Sequence, residues 1–477
     1  MNTIARTENG ALAHSTSSNN VLDLFFKFGA ARGQADTVAD MWFNAQLAEP
    51  ALALRVALWG RDARGGAGER EAFRAVLRSM DGILQFDNAL LEKIAEVGRA
   101  DDLLVVTKNF DTVAKFYKDK IDNSDAGPLF AKWTPRKGNV ANALRKAWKF
   151  RTPKEYRQYI VRNTECVEQA MCAKKWDEVE YKHVPSVAMA RYNSAFKRND
   201  ETRFAEFKEA LKRGDTTINA SVVFPHDIVR TSKGNDYDVD VLQAQWNAQP
   251  DFMEGGKNIL VMSDVSGSMD TPVSGSVTAM DISIALGLYV SERQSGPFKD
   301  LVLTFSSTPK FHKVVGDTIV DRINNLGSAD WGMSTDLDAA FRLILKIAVE
   351  HGVPAEDMPE ALIVISDMEF DFATRRVYRH PRGAVQSTLV EQTNHESATR
   401  LFEQAGYKLP TVVYWNVNSR SNIVPVRAHE SGAALVSGFS PAIMKAVLAS
   451  DADELNPTKL MLDVIMDSRY DVPGWTC

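Results

Sequence analysis

The sequence predicts two successive architectures: an array of short helices, then a doubly wound α/β domain. Three observations carry this. A chain of 477 residues is too long for one ordinary hydrophobic core. From residue 20 to about 209, apolar residues recur at three- and four-residue spacing, the period of helices with one buried face. Beyond Asp251, short apolar runs alternate with helical stretches, the pattern of a mostly parallel sheet covered on both faces.

The elements follow in chain order. Residues 1–20 are polar, lack the apolar run of a secretory signal, and are expected to form a flexible tail. The helical domain, with its linker, is expected over 21–250. Val21, Leu22, Leu24, Phe25 and Phe28 form the first apolar face, and Phe73, Val76, Leu77 and Met80 a later one. Leu90, Leu91, Ile94 and Val97 form another, and Ala143, Leu144, Ala147 and Trp148 another again. Glycine breaks separate them, at Gly65, Gly66 and Gly68 and again at Gly98. Consecutive helices of this kind stack as a helical-repeat solenoid, here without a strict period. A polar, acidic connection over 232–251 leads into the second domain, expected over 251–477. Its strands are expected at 258–264, 301–305, 311–315, 361–366, 411–415 and 433–436. Helices are expected between and after them at 277–293, 337–349, 396–405 and 441–448.

Composition excludes several classes. Apolar, aromatic and charged fractions are those of a soluble globular protein, and no window approaches the roughly 20 apolar residues of a membrane span. Cys166, Cys172 and Cys477 have no metal-ligand or redox spacing, and such sparse use fits a reducing cytoplasm better than a disulfide framework. The net charge of -6 hides an asymmetry: residues 101–200 hold 20 Lys and Arg against 13 Asp and Glu, and residues 251–477 hold 19 against 29. A basic middle points to an anionic partner for the first half.

The most informative cluster follows the first expected strand. Asp264, Ser266 and Ser268 are alternate residues of a tight turn, and Gly267 lets the backbone bend. They lie at the carboxyl edge of the sheet, where doubly wound folds bind ligands. Thr335 precedes a helix and Asp367 ends a later strand, so both reach the same edge. One carboxylate and two hydroxyls, with a further hydroxyl and carboxylate, suit a hard cation: Mg2+, or else Mn2+ or Ca2+. Each element alone reads equally as a helix cap, Ser334, Thr335 and Asp336 above all. Together, Asp-x-Ser-x-Ser, the pre-helix Thr and the strand-end Asp resemble the metal-ion-dependent adhesion site of von Willebrand factor A domains, over about 258–448. That resemblance implies an open coordination position that takes a carboxylate from a protein partner. His312, His351 and His380 are isolated from any nucleophile, so no catalysis is expected.

The first half mixes cations with aromatics: Phe130 to Gly138, Arg145 to Arg151, Tyr156 to Tyr159, Lys174 to Trp176 and Ala190 to Arg198. Lys and Arg neutralise phosphates, while aromatic rings stack on unpaired bases. Ordinary amphipathic helices, with aromatics inside and cations outside, give the same pattern. Two further stretches resemble the TROVE module of the Ro ribonucleoprotein family: Trp59-Gly-Arg-Asp-Ala-Arg-Gly-Gly-Ala-Gly-Glu-Arg-Glu71 and Val97-Gly-Arg-Ala-Asp-Asp-Leu103. Met171 to Asp177, Val184 to Arg191, Phe224 to Val229 and Ser366 to Asp371 resemble an uncharacterised phage and cellular group that pairs a similar helical half with the same A-domain. The resemblance implies a HEAT-like helical ring closed by the A-domain. It implies a monomeric ring, binding small structured RNA outside and single-stranded ends in its hole. Candidate RNA contacts are Arg136, Lys137, Arg145, Lys146, Arg191, Lys197 and Arg198, with His226 near a base. Arg61 to Glu71 can equally serve structure, through a helix start and a glycine-shaped loop. The alternative to RNA binding is a metal-dependent protein-interaction module on a helical scaffold.

Overall fold

The structure, a computed structural model, describes residues 4–31, 33–218, 220, 223–235, 237–253, 258–264, 266–274, 276–294, 296–304, 308–329, 336–371, 377–379, 385–387, 393–418, 423–449 and 455–475. The chain divides into two compact units. One comprises Met1–Gly33, Phe224–Asn235 and Gln249–Ile465; the other comprises Gln34–Val223, Asp236–Ala248 and Met466–Cys477.

The first unit is built on a six-stranded sheet. Its strands are β1 (Ile259–Ser263), β2 (Leu301–Thr304), β3 (Lys310–Lys313), β4 (Ala361–Ser366), β5 (Thr411–Asn416) and β6 (Ala433–Ser437). They lie in the order β6-β5-β4-β1-β2-β3, all parallel except β3, which pairs antiparallel with β2. The chain runs outward from β1 to β3, then crosses back to β4 and runs outward the other way. The order therefore reverses between β1 and β4, which opens a crevice beyond their carboxyl ends. Every residue of β1, β4, β5 and β6 is buried, as helices on both faces require. The helix Ala279–Arg293 starts at Thr278, not at 277, because Thr278 and Asp281 form a capping box. Val277 and Thr278 instead pair with Pro272–Ser274 in a small hairpin.

Three boundaries depart from the sequence expectation. Within residues 1–20, Ile4–Arg6 and Leu12–His14 form an antiparallel hairpin rather than a flexible tail. The helix Asn20–Phe28, expected to open the helical domain, belongs to the α/β unit. Asn19 caps it, and its apolar face covers the edge strand β6: Ser437 Oγ accepts the Gly29 N–H at 3.0 Å and donates to the Phe25 carbonyl at 3.1 Å. A Cβ on Gly29 would lie 2.6 Å from the Gly438 nitrogen, so glycine is required at that approach. Phe224–Asn235 also belongs to the α/β unit, while Met466–Cys477 belongs to the helical one. Helical periodicity defines an apolar face but not what that face meets.

The second unit is helical. Its earlier helices include Ala35–Ala48, Pro50–Arg61, Glu71–Asp81, Asn88–Val97, Phe110–Asn123, Gly127–Trp133, Gly138–Ala147 and Pro153–Arg162. Later ones include Ser186–Asn199, Glu201–Arg213 and Val239–Asn247, which share a core of Tyr181, Met189, Phe196, Phe204 and Val241. Asp81, at the end of one helix, caps another. Its carboxylate accepts backbone N–H groups of Thr107 (2.6 Å), Lys108 (2.8 Å) and Asn109 (2.8 Å), at the start of Phe110–Asn123. Burial pushes that carboxyl up, but these bonds and the Asn109 side chain prevail and hold it at about 2. Among the described residues, no helix is long and apolar enough to cross a membrane.

Candidate functional site

At the β1–β4 crevice, Asp264 is fully buried and its backbone N–H donates to Ile365 O at 2.9 Å, which fixes the end of β1 against β4. Its carboxylate accepts the Ser266 N–H on Oδ1 at 2.9 Å and the Ser366 hydroxyl on Oδ2 at 2.6 Å. Ser266 and Ser268 place their Oγ atoms 2.9 Å apart, so the two hydroxyls converge as alternate residues of the turn should. Met269, completely buried, anchors the turn, and its N–H closes onto Ser266 O at 3.0 Å. Asp367, 1 % exposed, follows β4 and accepts the Glu369 N–H on Oδ1 at 3.3 Å. Four of the five expected ligands are therefore at one edge; Thr335 lies outside the described residues. Asp336 caps the helix Leu337–His351 by accepting the Ala339 N–H at 2.8 Å, so the cap reading holds for that residue.

The electrostatics fit a cation. Burial, and then the nearby Asp367 carboxylate, push the Asp264 carboxyl up despite the bonds from Ser366 and Ser266. Two carboxylates sharing a desolvated crevice repel each other, and a divalent ion between them would reverse the sign of that interaction. The donors are all oxygen and the turn is partly open at Gly267 and Ser268, which suits Mg2+ with retained water. Among the described residues no group of three or more His, Cys, Asp and Glu side chains could hold a metal. Asp264, Asp367, Ser266 and Ser268 offer two carboxylates and two hydroxyls, and so are not such a group. Ser366 and Glu369 were missed at the sequence level as parts of this site; the run Ser366-Asp-Met-Glu-Phe-Asp371 was their signal.

The basic segment of the helical unit divides its cations and aromatics differently from expectation. Residues 131–164 hold ten Lys and Arg against one acidic residue, Glu155. Arg136, Lys137, Lys146, Lys149, Arg151, Lys154, Arg157 and Arg162 are exposed, as are Arg191 and Arg198 further on. Arg145 instead closes a helix end, donating to the carbonyls of Phe150 (2.9 Å) and Arg151 (3.2 Å). Lys197 pairs with Asp238 at 3.0 Å. His226 is 3 % exposed, stacked on Phe224 and edge-on to Phe439 in the α/β unit, so it offers nothing to a base in this structure. The aromatics meet one another. Trp148 packs on Tyr156 (5.7 Å between centroids) and Phe150 on Tyr159 (5.0 Å), and the Trp148 indole N–H donates to Ala114 O at 2.8 Å. Trp133 lies under the Arg99 guanidinium at 3.8 Å. Trp148 and Tyr156 are buried, whereas Trp133, Phe150 and Tyr159 are half-buried.

The glycine- and arginine-rich stretch also has a structural use. Asp102, fully buried, accepts from Arg61 Nε (2.7 Å), Arg74 Nε (2.7 Å) and the Arg99 N–H (2.9 Å). Arg74 and Arg99 also hold Asp101, at 2.8 and 2.6 Å. Asp62 receives Arg469 and the Tyr470 hydroxyl, the latter at 3.2 Å, within the same unit. A Cβ on Gly66 would sit 1.9 Å from Trp59 O, so no side chain fits there. Cys166 and Cys172 are free thiols.

Residues 258–467 match the family model of a domain of unknown function, DUF7788, and residues 114–254 match that of a second, DUF2828. The uncharacterized protein L728 of Acanthamoeba polyphaga mimivirus is 26 % identical over 525 residues, which cover 98 % of this chain and 88 % of that protein. Among solved structures, the Ro (RSR) protein of Deinococcus radiodurans aligns with a TM-score of 0.45 and 15 % identity, over 86 % of this chain and 93 % of that one.

Proposed function

We propose that this chain is a non-catalytic RNA-binding protein whose helical unit holds the phosphate backbone of a small structured RNA, and whose α/β unit carries a divalent-metal site. The observation that carries RNA binding is the presence of ten cations against one anion across 131–164, eight of the cations exposed on short helices and on the connections between them. Exposed cations favour backbone contacts, which give affinity but no sequence discrimination. The TROVE-like stretches agree with this assignment as sequence, and their side chains serve as internal braces in this reading. A ring closed by the α/β unit is the arrangement the resemblance implies. The test is the 260/280 absorbance ratio and extractable RNA of the purified protein before and after a high-salt wash. RNA released by salt supports the reading; protein that carries none and fails to bind added RNA overturns it.

A second reading rests on a different observation, the convergence of Asp264, Ser266, Ser268 and Asp367 at the crevice. There, Mg2+ or Mn2+ would be held by these oxygens, with Thr335 as a candidate fifth ligand, and would offer an open position to a partner's carboxylate. Metal-dependent capture of an acidic protein, lost with a chelator, would support it. The two activities can coexist, since they use different units.

A further inference from the structure

The hairpin Ile4–Arg6/Leu12–His14 ends on the metal edge of the α/β unit. At its tip, Thr7 Oγ1 donates to Phe370 O at 2.7 Å, the Glu8 N–H donates to Glu369 Oε2 at 2.6 Å, and Asn9 Nδ2 donates to Glu369 O at 2.7 Å. Gly10 bridges to Asp371 and Leu12 to Thr393. The clasped segment directly follows Asp367, and the Glu369 N–H is the group that donates to the Asp367 carboxylate. Glu369 is 3 % exposed, and its carboxylate acts on the buried Lys27 ammonium.

The segment needs a clasp. Met368, between Asp367 and Glu369, has φ = 68°, a left-handed conformation that a non-glycine residue adopts only when its surroundings impose it. One constraint comes from below: Ser366 Oγ accepts the Met368 N–H at 3.1 Å while its own hydrogen goes to Asp264. The hairpin tip supplies the constraint from above. Take the tip away and residues 368–371 can relax toward ordinary backbone, which re-aims the Glu369 N–H and with it Asp367.

We propose that the N-terminal hairpin tip and Glu369 form a positioning device for the metal site, aiming Asp367 through the strained Met368 link. The inference rests on the metal reading above. It makes metal binding and hairpin docking reciprocally linked: whatever the tip contributes to metal affinity, metal must return to tip docking.

The test compares the full chain with its Thr7→Val/Asn9→Ala variant, which removes two donors from the tip, and with Thr7 the acceptor of the Ala11 N–H, and leaves the six-stranded sheet and the Ser266 and Ser268 hydroxyls untouched. Mn2+ affinity is measured by electron paramagnetic resonance with Mg2+ competition, and hydrogen exchange is followed over 4–14 and 366–371 with and without Mn2+. The variant should bind Mn2+ about tenfold more weakly, the usual cost of losing an outer-shell partner, with an unchanged circular dichroism spectrum. In the wild type, Mn2+ should slow exchange at the Glu8 amide. Equal Mn2+ affinities, or a tip whose exchange ignores the metal, overturn the proposal while the metal reading stands. A wild type that binds no Mn2+ overturns both.

Discussion

Asp102 decides whether the stretch that resembles an RNA-binding module is architecture or contact surface. Its carboxylate is completely buried and takes donors from Arg61, Arg74 and the Arg99 backbone, while the Arg61 and Arg74 side chains are 7 % and 15 % exposed. Asp102→Ala leaves two guanidinium groups with little solvent and a weakened or absent counter-charge. Breaking a buried pair from one side costs about 3–5 kcal/mol. Arg74 keeps Asp101, which places the expectation toward the lower part of that range. For a unit of this size the loss corresponds to a drop in melting temperature of roughly 10 °C. The assay is urea and thermal denaturation of the full chain, with hydrogen exchange over 53–61 and 90–106 to locate the loosened unit. The double variant Asp102→Leu/Arg61→Leu should recover part of the loss, because removing both partners removes the stranded charge. An Asp102→Ala protein that keeps its stability but loses RNA affinity would refute the reasoning and make the stretch a ligand surface.

Other expectations are as direct. Replacing Arg136, Lys137 and Lys146 with Ala should weaken RNA binding and lower the log–log salt slope by roughly 2 to 3, measured by filter binding across salt concentrations. Asp264→Asn should abolish Mg2+-induced stabilisation in thermal melts; its amide oxygen can still accept the Ser266 N–H, while its NH2 group cannot accept the Ser366 hydroxyl. The Asp264 carboxyl is raised by burial and by Asp367, so the metal-free wild type should lose stability as pH rises from the unfolded value near 3.8 through the folded one. The variant should lack that fall in chelator-treated melts. For Asp81 the sign is opposite: its carboxyl is lowered to about 2, so its contribution is present above the unfolded value of 3.8 and lost as pH falls toward 2. Asp81→Ala should cost about 2 kcal/mol at neutral pH by urea titration, as a lost helix cap does, and almost nothing near pH 2.

Much of the α/β unit was legible because its signals are local. β1, β4, β5 and β6 are continuous apolar runs, which only a sheet covered on both faces buries, and Asp264, Ser266 and Ser268 are three alternate residues immediately after one of them. Strand-end positions of Asp264 and Asp367 then place both at one edge, whatever the details of packing. The basic excess over 131–164 is likewise a property of the chain alone.

What tertiary structure alone decided is the identity of each partner. Periodicity marks Leu22, Phe25 and Phe28 as one buried face, but only the fold assigns that face to β6, more than 400 residues away. Composition cannot separate an aromatic that stacks on a base from one that stacks on Tyr156, nor an Arg that meets phosphate from one that meets Asp102. His226 and the hairpin at Ile4–His14 make the same point from opposite sides: one expected to be available is buried, and one expected to be loose is clasped to the segment that follows β4. Both outcomes depend on contacts between residues far apart in sequence. The local pattern fixes which atoms a residue can offer, and the long-range packing fixes what they meet.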